Sequence, residues 1–297
     1  MTSLFRAAPF LLTLGFAGFP FAVLGAENAG PPRVFVSVAP QLGLVRAVAG
    51  ELVHVETMVE AGHSPHTYAP SPAKLTRLSG AVLYFSIGLP LEAGWLTRLR
   101  SLNPGLAVAD MLRYVPRRSL EGHGHEDHGR EEGALDPHVW LSPRRCAIMA
   151  HTIEQALARL LPEKAALFAA GRRALVSRAM ALDQELLELT SNLQDRTLAV
   201  YHPAFGYFAE DYGLHQLAVE LEGKLPTPRQ LTGVLQQLRR AGTKVLLVQP
   251  EFDQRTAETL ARQGGVRVVP CSPLGEDPLT TAKTLATLLV PSSPAGR

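Results

Sequence analysis

Short apolar runs rich in Val, each followed by residues at helical spacing, recur along the chain. Residues 33–39 (RVFVSVA) alternate and predict a strand, as do 52–59 (LVHVETMV) and the apolar run 81–87 (AVLYFSI). Helical spacing follows over 42–49 and 91–101, and a strand is expected over 106–110. Ser71 and Pro72 offer an N-cap and a proline at the first helical position, which predicts a helix over 72–79. Ser142 and Pro143 repeat that start for a helix running to Leu160. From Pro162 to Leu193 Gly171 is the one internal breaker, so a helix of roughly 45 Å is expected, long enough to bridge two lobes. The alternation then resumes, with strands over 197–201, 215–219, 244–249 and 266–270 and helices over 228–240, 254–263 and 278–289.

Strands alternating with helices imply parallel sheets. The expected fold class is therefore α/β: two lobes, each a small parallel sheet flanked by helices with its own core, joined by one long rigid helix. The boundaries read as a leader over 1–26, a first lobe over 27–161, a linking helix over 162–194 and a second lobe over 195–297. Residues 119–135 (SLEGHGHEDHGREEGAL) interrupt the first lobe and predict a polar, His-rich mobile surface loop.

The chain has 297 residues, 46% apolar and 19% charged, which suits a core-forming protein. Arg6 followed by PFLLTLGFAGFPFAVLGA reads as a secretory signal peptide cleaved near Ala26, with a membrane anchor as the alternative. Arg6 is the only charged residue removed, so the formal charge falls from +2 to +1. Such a balance gives no reason to expect nucleic acid or an anionic membrane as partner. No cysteine lies near the cleavage point, so the mature protein is expected to be soluble, exported and not lipidated. Cys146 and Cys271 are the two cysteines; either a disulfide or two buried thiols fits an exported chain.

Ten histidines are present, and three share a context. His66 lies in GHSPHTYAPSP, after a predicted strand and before a capped helix; His138 lies in DPHVWLSP; His202 ends the strand TLAVY and begins HPAFGYF. Ligands of α/β sheets collect at the carboxyl ends of strands. The prolines at 65, 137 and 203 restrict the backbone beside each imidazole. Three neutral imidazoles suit a borderline-soft divalent ion such as Zn²⁺, whereas oxygen donors favour magnesium, calcium or manganese. A lone histidine is more often structural, and the pattern alone leaves the metal reading level with that alternative.

PHTYAPSP at 65–72, DPHVWLSP at 136–143 and YHPAFGYFAEDYGL at 201–214, with KLPTPRQL at 224–231 and VQPEFDQRTAETLA at 248–261, resemble the metal-binding solute receptors of ABC importers for zinc and manganese, the cluster A-I family. The resemblance covers nearly all of the mature chain and implies two α/β lobes with the metal between them. It implies His66 and His138 as first-lobe ligands and His202 as the third, a position where manganese members often carry Glu. The family's fourth ligand is often the Asp of a DPLG motif; here the stretch is SPLG, with Ser272 in that place. Water or a weak local oxygen is expected to fill the position, with Asp277 or Cys271 as substitutes. His123, His125 and His128 stand where zinc members carry a His-rich loop, which implies loose zinc recruitment; a linker without a role is the plain alternative. His63 matches no ligand position, and His54, His151 and His215 read as structural. Tyr68, Trp140, Phe205 and Tyr207 read as packing around the site, and Asp136 as a loop anchor.

The implied function is a periplasmic, monomeric Zn²⁺ receptor without turnover, serving an ABC permease and its ATPase. Three readings compete with it. A manganese or other divalent-metal receptor shares the fold. An exported buffer or adhesin does too. A zinc hydrolase would use three histidines and one water, whose pKa falls to about 7, but no HExxH-like base motif accompanies them.

Overall fold

The computed structural model describes residues 30–120, 135–220 and 227–290. The leader, the segment with His123, His125 and His128, and residues 221–226 and 291–297 lie outside them. Two four-stranded sheets form, both entirely parallel. The first contains β1 (Arg33–Val36), β2 (His54–Thr57), β3 (Leu83–Ser86) and β4 (Ala107–Asp110) in the order β2-β1-β3-β4. The second contains β5 (Thr197–Val200), β6 (His215–Ala218), β7 (Val245–Val248) and β8 (Arg267–Pro270) in the order β6-β5-β7-β8. The two lobes thus repeat one topology. In each, the chain reverses direction across the sheet between the first and third strands, which opens a crevice at their carboxyl ends.

The central strands are buried on both faces, as apolar runs such as Phe35–Val36 and Leu246–Val248 require. Helices α1 (Ala39–Ala49), α2 (Pro72–Ser79), α3 (Glu92–Leu102) and α4 (Pro143–Leu160) belong to the first lobe. Ser71 and Ser142 accept from the Lys74 and Arg145 amides at 3.2 Å, the caps expected from sequence. The long helix α5 (Ala165–Ser191) follows a separate 3₁₀ turn, Pro162–Lys164, and so begins later than Pro162. It packs along α1 and α4 and against α9 (Pro278–Leu289) of the second lobe. Helices α7 (Pro228–Ala241) and α8 (Gln254–Gly264) cover the second sheet. No helix among the described residues is long and apolar enough to cross a membrane.

Two expectations need correction. A short helix, α6 (Gly206–Asp211), follows β5 and the His202 just past it; six residues after a proline leave no periodicity to detect. The lobes also do not keep separate cores. One buried cluster runs from Val36 and Phe85 of the first sheet through Leu182 of α5 to Val200, Leu247 and Leu285 of the second lobe, and a smaller cluster lies on the other face of the second sheet. Apolar contact therefore holds the lobes in register.

Polar contacts reinforce that register. The Trp140 indole donates to the Pro273 carbonyl at 2.7 Å, and Arg145 pairs with Asp211 at 2.6 Å. Cys146 and Cys271 are free, buried thiols; burial pushes Cys271 up to about 11 and Cys146 well above its ordinary value.

Candidate metal centre

His66, His138 and His202 meet in the crevice between the two sheets, although 136 positions of sequence separate the first from the last. Each offers one ring nitrogen, and these nitrogens all lie within 4.8 Å of one another. The His66 and His202 Nε2 atoms are 3.1 Å apart. Ring centroids stand 5.9 Å apart for His66 and His138 and 5.3 Å for His138 and His202.

The backbone explains the convergence. His202 leaves the carboxyl end of β5, beside the reversal point of the second sheet. Gln249, just past the neighbouring β7, grips its peptide at both ends. The His202 amide donates to Gln249 Oε1 at 3.3 Å, and Gln249 Nε2 donates to the His202 carbonyl at 3.0 Å. His138 sits on a turn closed by Asp136, whose Oδ1 accepts from the His138 amide at 2.9 Å and from its ring Nδ1 at 2.8 Å. His66 lies in the loop between β2 and α2 and is the most exposed of the three.

Two buried carboxylates set the ring chemistry. Asp136 is 1% exposed and Glu220 2% exposed, and Glu220 Oε2 accepts from His202 Nδ1 at 3.1 Å. A carboxylate behind Nδ1 holds the proton there and turns the Nε2 lone pair toward the shared point. Asp136 is thus an anchor, as expected, and also the partner that fixes the His138 tautomer. Tyr207 of α6 braces it by donating to the Asp136 carbonyl at 3.0 Å, and the Arg118 guanidinium lies 3.9 Å from Oδ2. Gly206 makes room for this arrangement, because a Cβ there would stand 1.6 Å from Arg118 Nη1.

Trp140 packs edge-on against the His138 ring at 5.4 Å, and Phe252 stacks on His202 at 5.2 Å. Both line the pocket with Leu89, Gln249, Glu251 and Leu274. Its free volume is about 20 Å³, room for little more than one water-sized species. Tyr68 packs instead on His63, which stays exposed outside the cluster, and Phe205 is buried behind the site. His54 and His215 are exposed on strands, and His151 contacts Gln155 at 3.0 Å; none of the three joins the site.

Neither substitute expected for the fourth ligand faces the rings. Asp277 caps α9, accepting from the Leu279 amide at 3.1 Å, and pairs with Arg178 of α5. Cys271 is buried and does not line the pocket. Ser272 donates instead to Oε1 of Glu251 at 3.0 Å. The sequence reading assigned no role to Glu251, Glu220 or Gln249; for Gln249 and Glu251 the available signal was their place just past β7, beside the reversal point, while Glu220 follows the edge strand β6 and carried none.

Burial, then the two neighbouring rings, hold the His66 imidazole down to about 3. Burial also lowers His202, against the hydrogen bond to Glu220, which raises it. An unfolded histidine takes its proton near 6.5, well before folded His66 does. The unfolded state then binds more protons, so stability present above about pH 6.5 is lost as pH falls toward 3. Urea unfolding of metal-free protein should therefore show a lower midpoint at about pH 5 than at about pH 7.5. His66→Gln should flatten that dependence; an unchanged slope would refute the assignment.

The family model for the zinc-uptake complex component A, periplasmic (ZnuA), matches residues 34–289. The chain belongs to this family. A crystal structure of ZnuA superposes with a TM-score of 0.81 at 30% identity, covering 88% of this chain and 98% of that one. The zinc-binding protein AdcA of Streptococcus pyogenes serotype M3 is 25% identical over 90% of this chain. The chain spans only 57% of that relative's length. FpvC of Pseudomonas aeruginosa, solved with Mn²⁺, shares the fold with a TM-score of 0.74 at 24% identity, covering 87% of this chain and 97% of that one.

Proposed function

We propose that this chain is the substrate-binding receptor of an ABC-type importer. It captures one Zn²⁺ with His66, His138 and His202 and delivers it to a membrane permease driven by its ATPase. The observation that carries the reading is the convergence of three imidazole nitrogens within 4.8 Å in the crevice between two lobes. His138 and His202 are held ready by Asp136 and Glu220, and His66, on the more exposed loop, completes the grip.

Three nitrogen donors favour zinc over manganese, which prefers oxygen. The small pocket supports binding without turnover, since a substrate beside the ion would not fit. The family description supports a periplasmic setting; in this reading the mature protein is a soluble, unlipidated monomer that follows cleavage near Ala26. Residues 27–161 and 195–297 act as the two lobes, with 162–194 as the link. His123, His125 and His128 serve to recruit zinc loosely.

Elemental analysis and titration of the mature protein test this directly. One zinc per chain is expected, bound more tightly than manganese. A stoichiometry of zero, or a preference for manganese, would overturn the reading. Asp136→Asn should weaken zinc binding about 10–100-fold, the usual cost of an outer-shell carboxylate, with one site retained. Unchanged affinity in that variant would remove Asp136 from the account.

A further inference from the structure

We propose that Glu251 supplies the fourth, anionic donor to the metal and that Ser272 is its positioning residue. This rests on the three-histidine reading and deepens it. Glu251 lies just past β7 and His202 just past β5, the two strands that flank the reversal point of the second sheet. Both therefore face the crevice in which ligands of such sheets collect. Glu251 lines the same pocket as the three imidazoles.

Its hydrogen bonding suits the role. The Leu274 amide donates to Ser272 Oγ at 3.1 Å, which commits the hydroxyl proton to the other side. There Ser272 donates to Glu251 Oε1 at 3.0 Å. Oε1 is thereby occupied, and Oε2 is left without a hydrogen-bond donor among the described residues. Nor does any described basic side chain come within ion-pair distance of this half-buried carboxylate. An anion that lines a largely apolar pocket, with no cation beside it among the described residues, is costly unless a positive charge arrives.

Among the described residues two other carboxylates face the site, Asp136 and Glu220, and both are committed to ring Nδ1 atoms. Glu251 is the pocket-lining carboxylate that has no histidine to hold. Its oxygens are not among the atoms within 4.8 Å of one another, so ligation takes a rotation of its flexible side chain toward the imidazoles. Zinc with three nitrogens completes a tetrahedron with one further donor, and a carboxylate oxygen is an ordinary one. In this account the aspartate expected at position 272 has not been replaced by water. Its charge comes from a neighbouring loop, and the serine orients it.

The test uses the full mature protein, with Zn²⁺ titration and the visible absorption of the Co²⁺-loaded form. Glu251→Gln keeps the shape and removes the charge. It should lower zinc affinity at least about tenfold, the lower end of what even outer-shell groups cost, and should alter the Co²⁺ spectrum. Ser272→Ala should produce a smaller loss that Ser272→Thr restores. That loss should vanish in the Glu251→Gln background, as expected for a residue acting through another. If wild-type protein binds one zinc, but Glu251→Gln stays within about twofold of it with an unchanged Co²⁺ spectrum, the fourth-donor assignment is wrong and the histidine site stands. If wild-type protein binds no zinc, both proposals fail.

Discussion

Replacing His138 by alanine is expected to lower zinc affinity about 10²–10³-fold while leaving the fold in place. Apparent free energies of about 10–16 kcal/mol for four-donor zinc sites imply roughly 2.5–4 kcal/mol per donor, and each 1.4 kcal/mol is about a factor of ten. His138 is 4% exposed, so its ring is removed from a packed wall beside Trp140. The turn that carries it does not depend on the ring. Asp136 Oδ1 keeps its bond from the amide of residue 138, and Tyr207 keeps its bond to the Asp136 carbonyl. Chelator competition should report the loss of affinity, and circular dichroism of the zinc-stripped variant should match wild type. Zinc binding equal to wild type would exclude His138 as a ligand. Collapse of the far-ultraviolet signal would show a structural role instead.

Gly43→Ala should destabilise the protein and weaken zinc binding from a position outside the histidine cluster. Helix α1 lies against the turn before α9, and a Cβ at position 43 would stand 1.9 Å from the Glu276 carbonyl oxygen and 2.8 Å from its carbon. These are backbone atoms, so no side-chain rotation relieves the clash. The turn cannot retreat freely. Asp277 caps α9 and pairs with Arg178 of α5, and the Pro273 carbonyl accepts from Trp140. Nearby Arg46 pairs with Glu276 at 2.6 Å, but both are about half exposed, so that ion pair holds little. Relief must come from a shift between the lobes, which moves Leu274 in the pocket wall. Overpacking of this kind costs about 1–3 kcal/mol, or roughly 2–10 °C in Tm for a chain of this size. Thermal melts with and without zinc would measure it. A Tm and affinity equal to wild type would mean that the contact between α1 and the turn is loose.

Local chemistry dictated most of the fold, and local chemistry is what a sequence displays. Buried parallel strands demand apolar runs, and those of β1, β3, β5 and β7 stood out. Ser71 and Ser142 beside prolines marked helix starts that the structure keeps. The three histidines were legible because each stood beside a proline, two of them after a predicted strand, and the family resemblance raised that pattern above chance. Helix α6 was missed because six residues hold less than two turns.

Partnerships between distant residues followed a different logic. Acidic side chains occur throughout the chain, and no local rule says which will sit behind a ring. Glu220 reaches His202 because β5 and β6 run side by side, and Ser272 reaches Glu251 because β7 and β8 do. The same holds for Asp277, which the sequence offers as a substitute ligand but which caps a helix and pairs with the arginine opposite. The two thiols stay apart for that reason too, each enclosed by its own neighbours. Which elements form, and which imidazoles stand in the segments between them, was determined by the order of residues, since backbone preference and apolar periodicity act over a few positions. Which carboxylate serves which imidazole was decided only by packing the two sheets together, since a hydrogen bond requires atoms about 3 Å apart, and sequence separation does not specify that.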